Sequence, residues 1–196
     1  MAKNTKQKIL DVALDLFSRK GYEGTNLQEI ADSVGIVKSA LYRHFKSKEE
    51  LWNCLLQDLE VYYNERMASR SNTNVLTSLK QVEEMTMQML QFTMHDERII
   101  KTRKLLSIEQ FSNERISNLA TKHFNDDLEN MFTHVFKAMI KNGIMKDYDP
   151  QLLAFEYTSP ISSLIHMCDR NPSKEKQIVK KIQNYVRHFI VVYGVN

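Results

Sequence analysis

The 196-residue sequence contains few of the residues that interrupt helices or cross-link chains: five glycines, three prolines and two cysteines. So little turn-forming material, and no strand-length alternation of polar and apolar residues, predicts an all-α fold. Cys54 and Cys168 are far apart in sequence. Two isolated thiols suit a reducing compartment and exclude a disulfide scaffold.

Segments that direct a chain to a membrane or out of the cell are also lacking. No apolar run approaches ~18 residues, the length that indicates a membrane span. The first eight residues, MAKNTKQK, are polar and lead directly into an amphipathic helical pattern, unlike a signal peptide. We therefore expect a cytoplasmic protein without membrane contact.

The sequence also lacks the patterns that are typical of enzymes. It has no nucleophile elbow, no glycine-rich phosphate loop and no HExxH zinc motif. His123 and Asp127 have the i, i+4 spacing of two metal ligands, but a pair without a third ligand is weak evidence for a metal site. We expect no catalytic residues, no metal and no cofactor.

The stretch from Thr25 to Phe45 has the pattern of a helix, a tight turn and a second helix. Asn26 is a suitable N-cap, and Glu29 stands where a capping box needs it. Gly35 can adopt the positive φ of a sharp turn. The second helix shows the donors, aromatic ring and positive charge that reach phosphates and base edges in a major groove. The residues are Lys38, Ser39, Tyr42, Arg43 and His44.

Taken alone, the same stretch could be an ordinary helical hairpin with a solvated basic face. The distribution of charge favours the DNA-binding interpretation. Residues 1–48 contain nine Lys or Arg against five Asp or Glu, net +4, whereas residues 49–196 contain eighteen against nineteen, net −1. Excess positive charge around a helix-turn-helix is the electrostatic footprint expected for a polyanionic partner such as double-stranded operator DNA.

Residues 9–51 resemble the N-terminal DNA-binding domain of the TetR family of transcriptional regulators. The resemblance ends at residue 51 of 196 and rests on Ala13, Phe17, Gly21, Tyr22, Thr25, Ile30, Ala31, Gly35, Leu41, Tyr42, Phe45, Lys48 and Leu51. It implies base and phosphate contacts at Lys38 and Ser39, in the first turn of the second helix, and a phosphate contact by Thr25. By their chemistry, Tyr42, His44 and Lys48 would donate to phosphate oxygens, and Arg43 would either read the groove or remain solvated. Val37 departs from the Ser or Thr that the family often has as a cap and phosphate donor, which puts that contact in doubt.

Beyond residue 50, helical periodicity alone supports the interpretation. We expect about nine helices in total, with a helix-turn-helix domain over residues 1–50 and a larger bundle over residues 51–196. Residues 71–74 are polar and indicate a loop after helix four. In the family that the N-terminus resembles, this remainder binds effectors and dimerises.

Helix eight, expected to start at Pro150, and helix nine, expected to follow residues 171–173, carry broad apolar stripes. Copies from two subunits could form a four-helix interface, and a homodimer would place two reading helices on two half-sites. Alternatively, both stripes pack inside one subunit. The residues expected at the interface are Ile161, Leu164, Ile165, Ile182, Tyr185, Val186, Phe189 and Ile190.

An effector site is expected among helices five to eight, where methionine and aromatic residues are frequent. Methionine adapts to varied apolar ligands, although core filling is the ordinary role of any single methionine. The residues expected to line the site are Met85, Met89, Phe92, His123, Met131 and His166.

These patterns predict a homodimeric, operator-binding repressor that is released when a small, largely apolar ligand binds the C-terminal domain. One alternative keeps DNA binding but replaces the ligand by thiol chemistry at Cys54 and Cys168, although inert buried thiols are the ordinary case. Another is a helical ligand-binding module without operator binding. The intact basic face of helix three, which is the second helix of the helix-turn-helix, argues against this last alternative.

Overall fold

Helices make up the fold of the described part of the chain, residues 2–68 and 76–195 of a computed structural model. In chain order they are α1 (Ala2–Lys20), α2 (Leu27–Val34), α3 (Lys38–Tyr42), α4 (Lys48–Ala68), α5 (Leu79–His95), α6 (Glu97–Glu109), α7, α8 (Pro150–Arg170) and α9 (Glu175–Tyr193). Helix α7 consists of Glu114–Thr121, a π-helical segment Lys122–Asp126 and Asp127–Lys141. The predicted all-α fold is confirmed, with nine helices in the described residues.

The loop expected at residues 71–74 lies outside the described residues. Within those that are described, no helix combines the length and the apolar character of a membrane-spanning segment.

The chain divides into two compact units that alternate in sequence. The N-terminal unit comprises Met1–Asn72 and Glu97–Ser117, and the C-terminal unit comprises Thr73–Asp96 and Asn118–Asn196. Helices α4 and α6 thus belong to the N-terminal unit. The boundary between the compact units therefore does not fall at residue 50. The division into functional domains at that residue stays a prediction.

Helices α2 and α3 are joined by the turn that the sequence predicts. The side chain of Asn26 accepts the backbone N–H of Glu29 at 2.9 Å and so caps α2. Gly35 ends α2 with a φ of 81°, a conformation that costs glycine little and strains other residues. Leu41 and Phe45 are buried and anchor α3 in the core of the N-terminal unit.

Tyr157 on α8 lies at the centre of the C-terminal unit's core. Its buried ring contacts the rings of Phe132 and Phe136 on α7, with centroids 4.6 and 5.3 Å away, and that of Phe189 on α9 at 4.8 Å. Aromatic pairs in such tilted and edge-on arrangements stabilise a core beyond their buried area. One side chain therefore joins three helices of this unit.

The hydroxyl group of Tyr157 is hydrogen-bonded inside this core. Thr86 on α5 gives its only hydroxyl proton to the Val82 carbonyl at 2.8 Å, so Tyr157 must donate to Thr86 Oγ1 across 2.7 Å. Burial raises the pKa of the Tyr157 hydroxyl far above its usual value. The group therefore keeps its proton and remains a donor.

Pro160 lies inside α8 and has no N–H to give to the carbonyl of Glu156, four residues earlier. Tyr185 on α9 donates its hydroxyl to that carbonyl, and Tyr193 donates to the Glu156 carboxylate at 2.6 Å. Burial and, next, the Glu156 carboxylate raise the pKa of Tyr185 to about 12. Helices α8 and α9 are thus joined where proline interrupts the helical hydrogen bonds.

Most residues predicted for a subunit interface are core residues of a single chain, which corrects that prediction. Six of them are at most 8% exposed: Ile161, Leu164, Ile165, Ile182, Val186 and Phe189. Tyr185 and Ile190 are half-buried and stay a prediction. The stripe's periodicity identifies a buried face, but it cannot show whether that face meets its own chain or a partner.

We expect Thr86→Val to destabilise the protein more than Tyr157→Phe. Thr86→Val leaves a buried tyrosine hydroxyl without an acceptor, which costs about 1–3 kcal/mol, whereas Tyr157→Phe removes one ordinary hydrogen bond, about 1 kcal/mol. Urea unfolding followed by circular dichroism measures both. The double variant should cost less than the sum, and a larger loss for Tyr157→Phe than for Thr86→Val would contradict this account.

Candidate nucleic-acid interface

Polar and basic side chains lie together on and beside α3. The ammonium group of Lys38 lies 6.0 Å from the centre of the Tyr42 ring. Both side chains are free to reach outward, since neither is buried. Of the residues predicted here, the exposed ones are Lys38, Ser39, Tyr42 and Arg43, and the half-buried ones are His44 and Lys48.

Helix α3 is short and begins without a side-chain cap. Val37 precedes it in an extended conformation, and its side chain forms no capping hydrogen bond. This agrees with the doubt raised by the sequence about a phosphate donor at this position. Val37 is 68% exposed. An apolar side chain there can touch a thymine methyl group but cannot donate to a phosphate.

The position of Lys48 is set by an aromatic ring. Its ammonium group lies 4.2 Å from the centre of the Tyr22 ring, a distance at which a cation is attracted to the ring face. Tyr22 in turn packs against Phe17 and Trp52, with centroids 5.9 and 5.0 Å away. Lys48 therefore stands at the start of α4 on the half-buried Tyr22 ring, which itself rests on the buried rings of Phe17 and Trp52.

Helix α6 also supports the Tyr22 ring, through a contact that the sequence does not predict. The backbone N–H of Tyr22 donates to Glu109 Oε1 at the end of α6, at 2.7 Å. A side chain on Gly21 would come within 2.8 Å of the same oxygen, and Gly21 has a φ of 72°. No local pattern indicates such a contact, because the two residues are 87 positions apart.

Two further polar contacts tie α6 to the N-terminal unit. Arg98 donates to Asp58 on α4, and Lys101 lies 3.1 Å from the Asp15 carboxylate on α1. Asp58 also accepts Gln7 Nε2 at 3.2 Å. The first half of α6 is therefore held to α1 and α4, and its end is held to the turn after α1.

Thr25 does not belong to the exposed surface, which corrects its prediction as a phosphate contact. It is 1% exposed, and its hydroxyl donates to the Gly21 carbonyl at 3.0 Å. The side chain closes the turn between α1 and α2 and cannot reach a phosphate from this position.

The six side chains predicted for an effector site are all half-buried: Met85, Met89, Phe92, His123, Met131 and His166. Met85 and Met131 pack at the edge of the C-terminal unit's core. The described contacts do not bring all six around one cavity. The effector site therefore stays a prediction.

The π-helical segment of α7 carries one of these residues and contacts another. The ring of Phe124 meets that of His166 edge-on at 4.7 Å, and Ser162 donates to the Phe124 carbonyl at 3.2 Å. Burial and, next, the Lys122 charge lower the pKa of His123 to about 4, so its imidazole is neutral at pH 7. Such π-helical segments are frequent at functional sites.

The thiols and possible metal ligands are dispersed. Cys54 is half-buried and Cys168 is buried, and neither forms a disulfide. Burial slows the reactions of a thiol. Across residues 2–68 and 76–195, no three His, Cys, Asp or Glu side chains come together in an arrangement suited to a metal ion.

Comparisons with known proteins match the part of the chain that contains this surface. A profile described as "Bacterial regulatory proteins, tetR family" matches residues 9–53. Over 152 residues, 77% of this chain and 73% of the relative, the sequence is 28% identical to the biofilm operon icaADBC HTH-type negative transcriptional regulator IcaR of Staphylococcus epidermidis. IcaR of Staphylococcus aureus is 55% identical over 47 residues, 24% of this chain and 25% of that relative.

The fold is also similar to a solved repressor. The SmeT–triclosan complex aligns with a TM-score of 0.73 and 18% identity, over 98% of this chain and 93% of that one. SmeT is the repressor of the Stenotrophomonas maltophilia multidrug efflux pump SmeDEF.

Lys48→Ala should weaken binding to all duplex DNA about equally, because phosphate contacts position a protein without reading sequence. The log–log salt dependence of the binding constant should become shallower by roughly 0.9, the value for one phosphate contact. Fluorescence anisotropy at several salt concentrations measures both. Lys137→Ala, an exposed lysine on α7, is the control, and an unchanged slope for Lys48→Ala would refute the contact.

Proposed function

Because the chain belongs to the TetR family of bacterial transcriptional regulators, we propose that it is a cytoplasmic repressor that binds its operator as a homodimer. In this proposal a small, largely apolar ligand binds the C-terminal unit and releases the protein from DNA. The role is regulatory rather than catalytic.

The observation that supports operator recognition most directly is the exposed face of α3. Lys38 and Tyr42 are presented side by side there, and Lys48 lies on the Tyr22 ring at the start of α4. Side chains of these types contact phosphates and base edges when a short helix enters the major groove. The family match, residues 9–53, covers this whole face.

Repression rather than activation is favoured by the relatives. IcaR is described as a negative transcriptional regulator, and SmeT as a repressor. A protein that occupies an operator can exclude other proteins from the same DNA without any further contact. Repression therefore needs only the DNA-binding surface already described.

A ligand in the C-terminal unit is supported by two features of this chain. The six half-buried side chains named above include three methionines, which adapt to varied apolar ligands. His123 is neutral at pH 7 for the reasons given above and adds no charge to such a site. SmeT, which has a similar fold, has been solved in complex with triclosan.

Dimerisation through α8 is supported by side chains that one chain leaves exposed. Leu152 and Phe155 are each 53% exposed, and Met167 is exposed on the same helix. Ser159 and Ser163 lie between them, so the five residues follow each other at intervals of three or four and share one face. The small serines allow a second copy of α8 to approach closely. A two-fold axis would bring identical faces together.

We expect specific binding to a two-fold symmetric site in DNA that flanks the protein's own gene. Inserting five base pairs between the half-sites turns one of them about half a turn away, so a dimer cannot engage both major grooves. Gel-shift titration should show a loss of at least about tenfold, a factor well within the range that separates specific from non-specific binding. If the affinity for DNA depended on neither the sequence nor the half-site spacing, the alternative of a helical ligand-binding module without operator binding would be favoured.

We expect Phe155→Glu to produce monomers. The substitution would bury an unpaired charge between the two α8 faces, which is strongly destabilising. Analytical ultracentrifugation measures the change. Val61→Glu replaces an equally exposed apolar residue on α4 and should remain dimeric. A dimeric Phe155→Glu variant would place the interface elsewhere.

A further inference from the structure

The N-terminal unit contains a cavity that the proposed function does not use. It has a volume of about 420 Å³ and lies between the turn after α1, the first half of α4 and the segment from the end of α6 to the start of α7. This volume is within the range of small-molecule sites and far larger than a metal ion needs. Its walls are formed by residues of one compact unit.

The charge of the lining favours a cation. Three carboxylates, from Glu23, Glu49 and Glu109, face the cavity against a single guanidinium, that of Arg115. Arg115 donates to Asn53 Oδ1 at 2.8 Å, so it is directed to a neighbouring side chain. An anionic ligand would be repelled by the excess carboxylates, and a neutral apolar ligand would displace their water without compensation.

Two aromatic rings in the wall favour an organic cation over an inorganic one. The centroids of Tyr22 and Trp52 are 5.0 Å apart, with their planes at 61°. Ring faces attract ammonium groups, and angled pairs of aromatic rings are the usual surroundings of quaternary ammonium ligands. One cation is already drawn to this cluster, since the Lys48 ammonium lies 4.2 Å from the Tyr22 ring centre.

We propose that this cavity binds a small organic cation of the alkylammonium class, held between the Tyr22 and Trp52 rings and the Glu23, Glu49 and Glu109 carboxylates. The site is distinct from the ligand site proposed in the C-terminal unit and does not depend on operator binding. Because Tyr22 also supports Lys48, the bound cation and the Lys48 ammonium repel each other across the same ring.

Tetramethylammonium chloride is the probe, and the fluorescence of Trp52, the only tryptophan in the sequence, is the signal. We expect a saturable change, with isothermal calorimetry in parallel. Potassium chloride at equal ionic strength and tert-butanol, the neutral analogue, should give no saturable response. The absence of saturable binding by both methods, or an equal response to tert-butanol, would overturn the proposal.

Substitutions of the lining carboxylates distinguish specific binding in the cavity from weak, non-specific association of the cation with the protein surface. Replacing Glu23 and Glu49 by Gln together should weaken binding on the order of fivefold, as expected for two partly exposed charge pairs. Glu65→Gln, an exposed residue near the end of α4, should leave the affinity unchanged. Lys48→Ala should strengthen binding because it removes the neighbouring positive charge. Equal losses in the Glu65 control, or weaker binding by Lys48→Ala, would refute the assignment.

Discussion

The hydrogen bond from the Tyr22 backbone to the Glu109 carboxylate is the constraint on which the proposed DNA-binding surface depends. It holds the end of α6 against the turn that follows α1, at 2.7 Å, where only glycine fits at position 21. The Tyr22 ring, fixed by this bond and by Trp52, then carries Lys48 at the edge of the basic face. A carboxylate 87 residues away in sequence thus helps to position Lys48, for which we propose a phosphate contact.

This arrangement limits the routes by which the proposed ligand in the C-terminal unit could affect the proposed DNA binding. Within the described residues, the chain passes from one unit to the other between residues 96 and 97 and between residues 117 and 118. Helix α6 lies between these two crossings and carries Arg98, Lys101 and Glu109, each bonded within the N-terminal unit. A displacement that enters along the chain at either end of α6 therefore acts directly on the helices beneath the basic face. Differential affinity of the ligand for two such positions would suffice for induction.

In the C-terminal unit, helix α8 has an apolar inner face that packs in the core and an outer face with exposed apolar side chains. The inner face of α8 places Tyr157 among three aromatic rings, and the carbonyl that Pro160 leaves free is satisfied by Tyr185. Its outer face keeps Leu152 and Phe155 in solvent. A helix that is apolar on two sides can pack in its own core and still meet a second copy.

The sequence alone determined the helical fold and the helix-turn-helix, because their signals are local: an N-cap at Asn26, a positive φ at Gly35, and buried residues such as Leu41 at helical spacing. Only the tertiary structure decided that Thr25 is buried, that α6 belongs with α1 and α4, and that the stripes of α8 and α9 line a core. These outcomes depend on which faces meet across long stretches of chain. Periodicity reports that a face is buried, and the partner that buries it is selected by the packing of the whole unit.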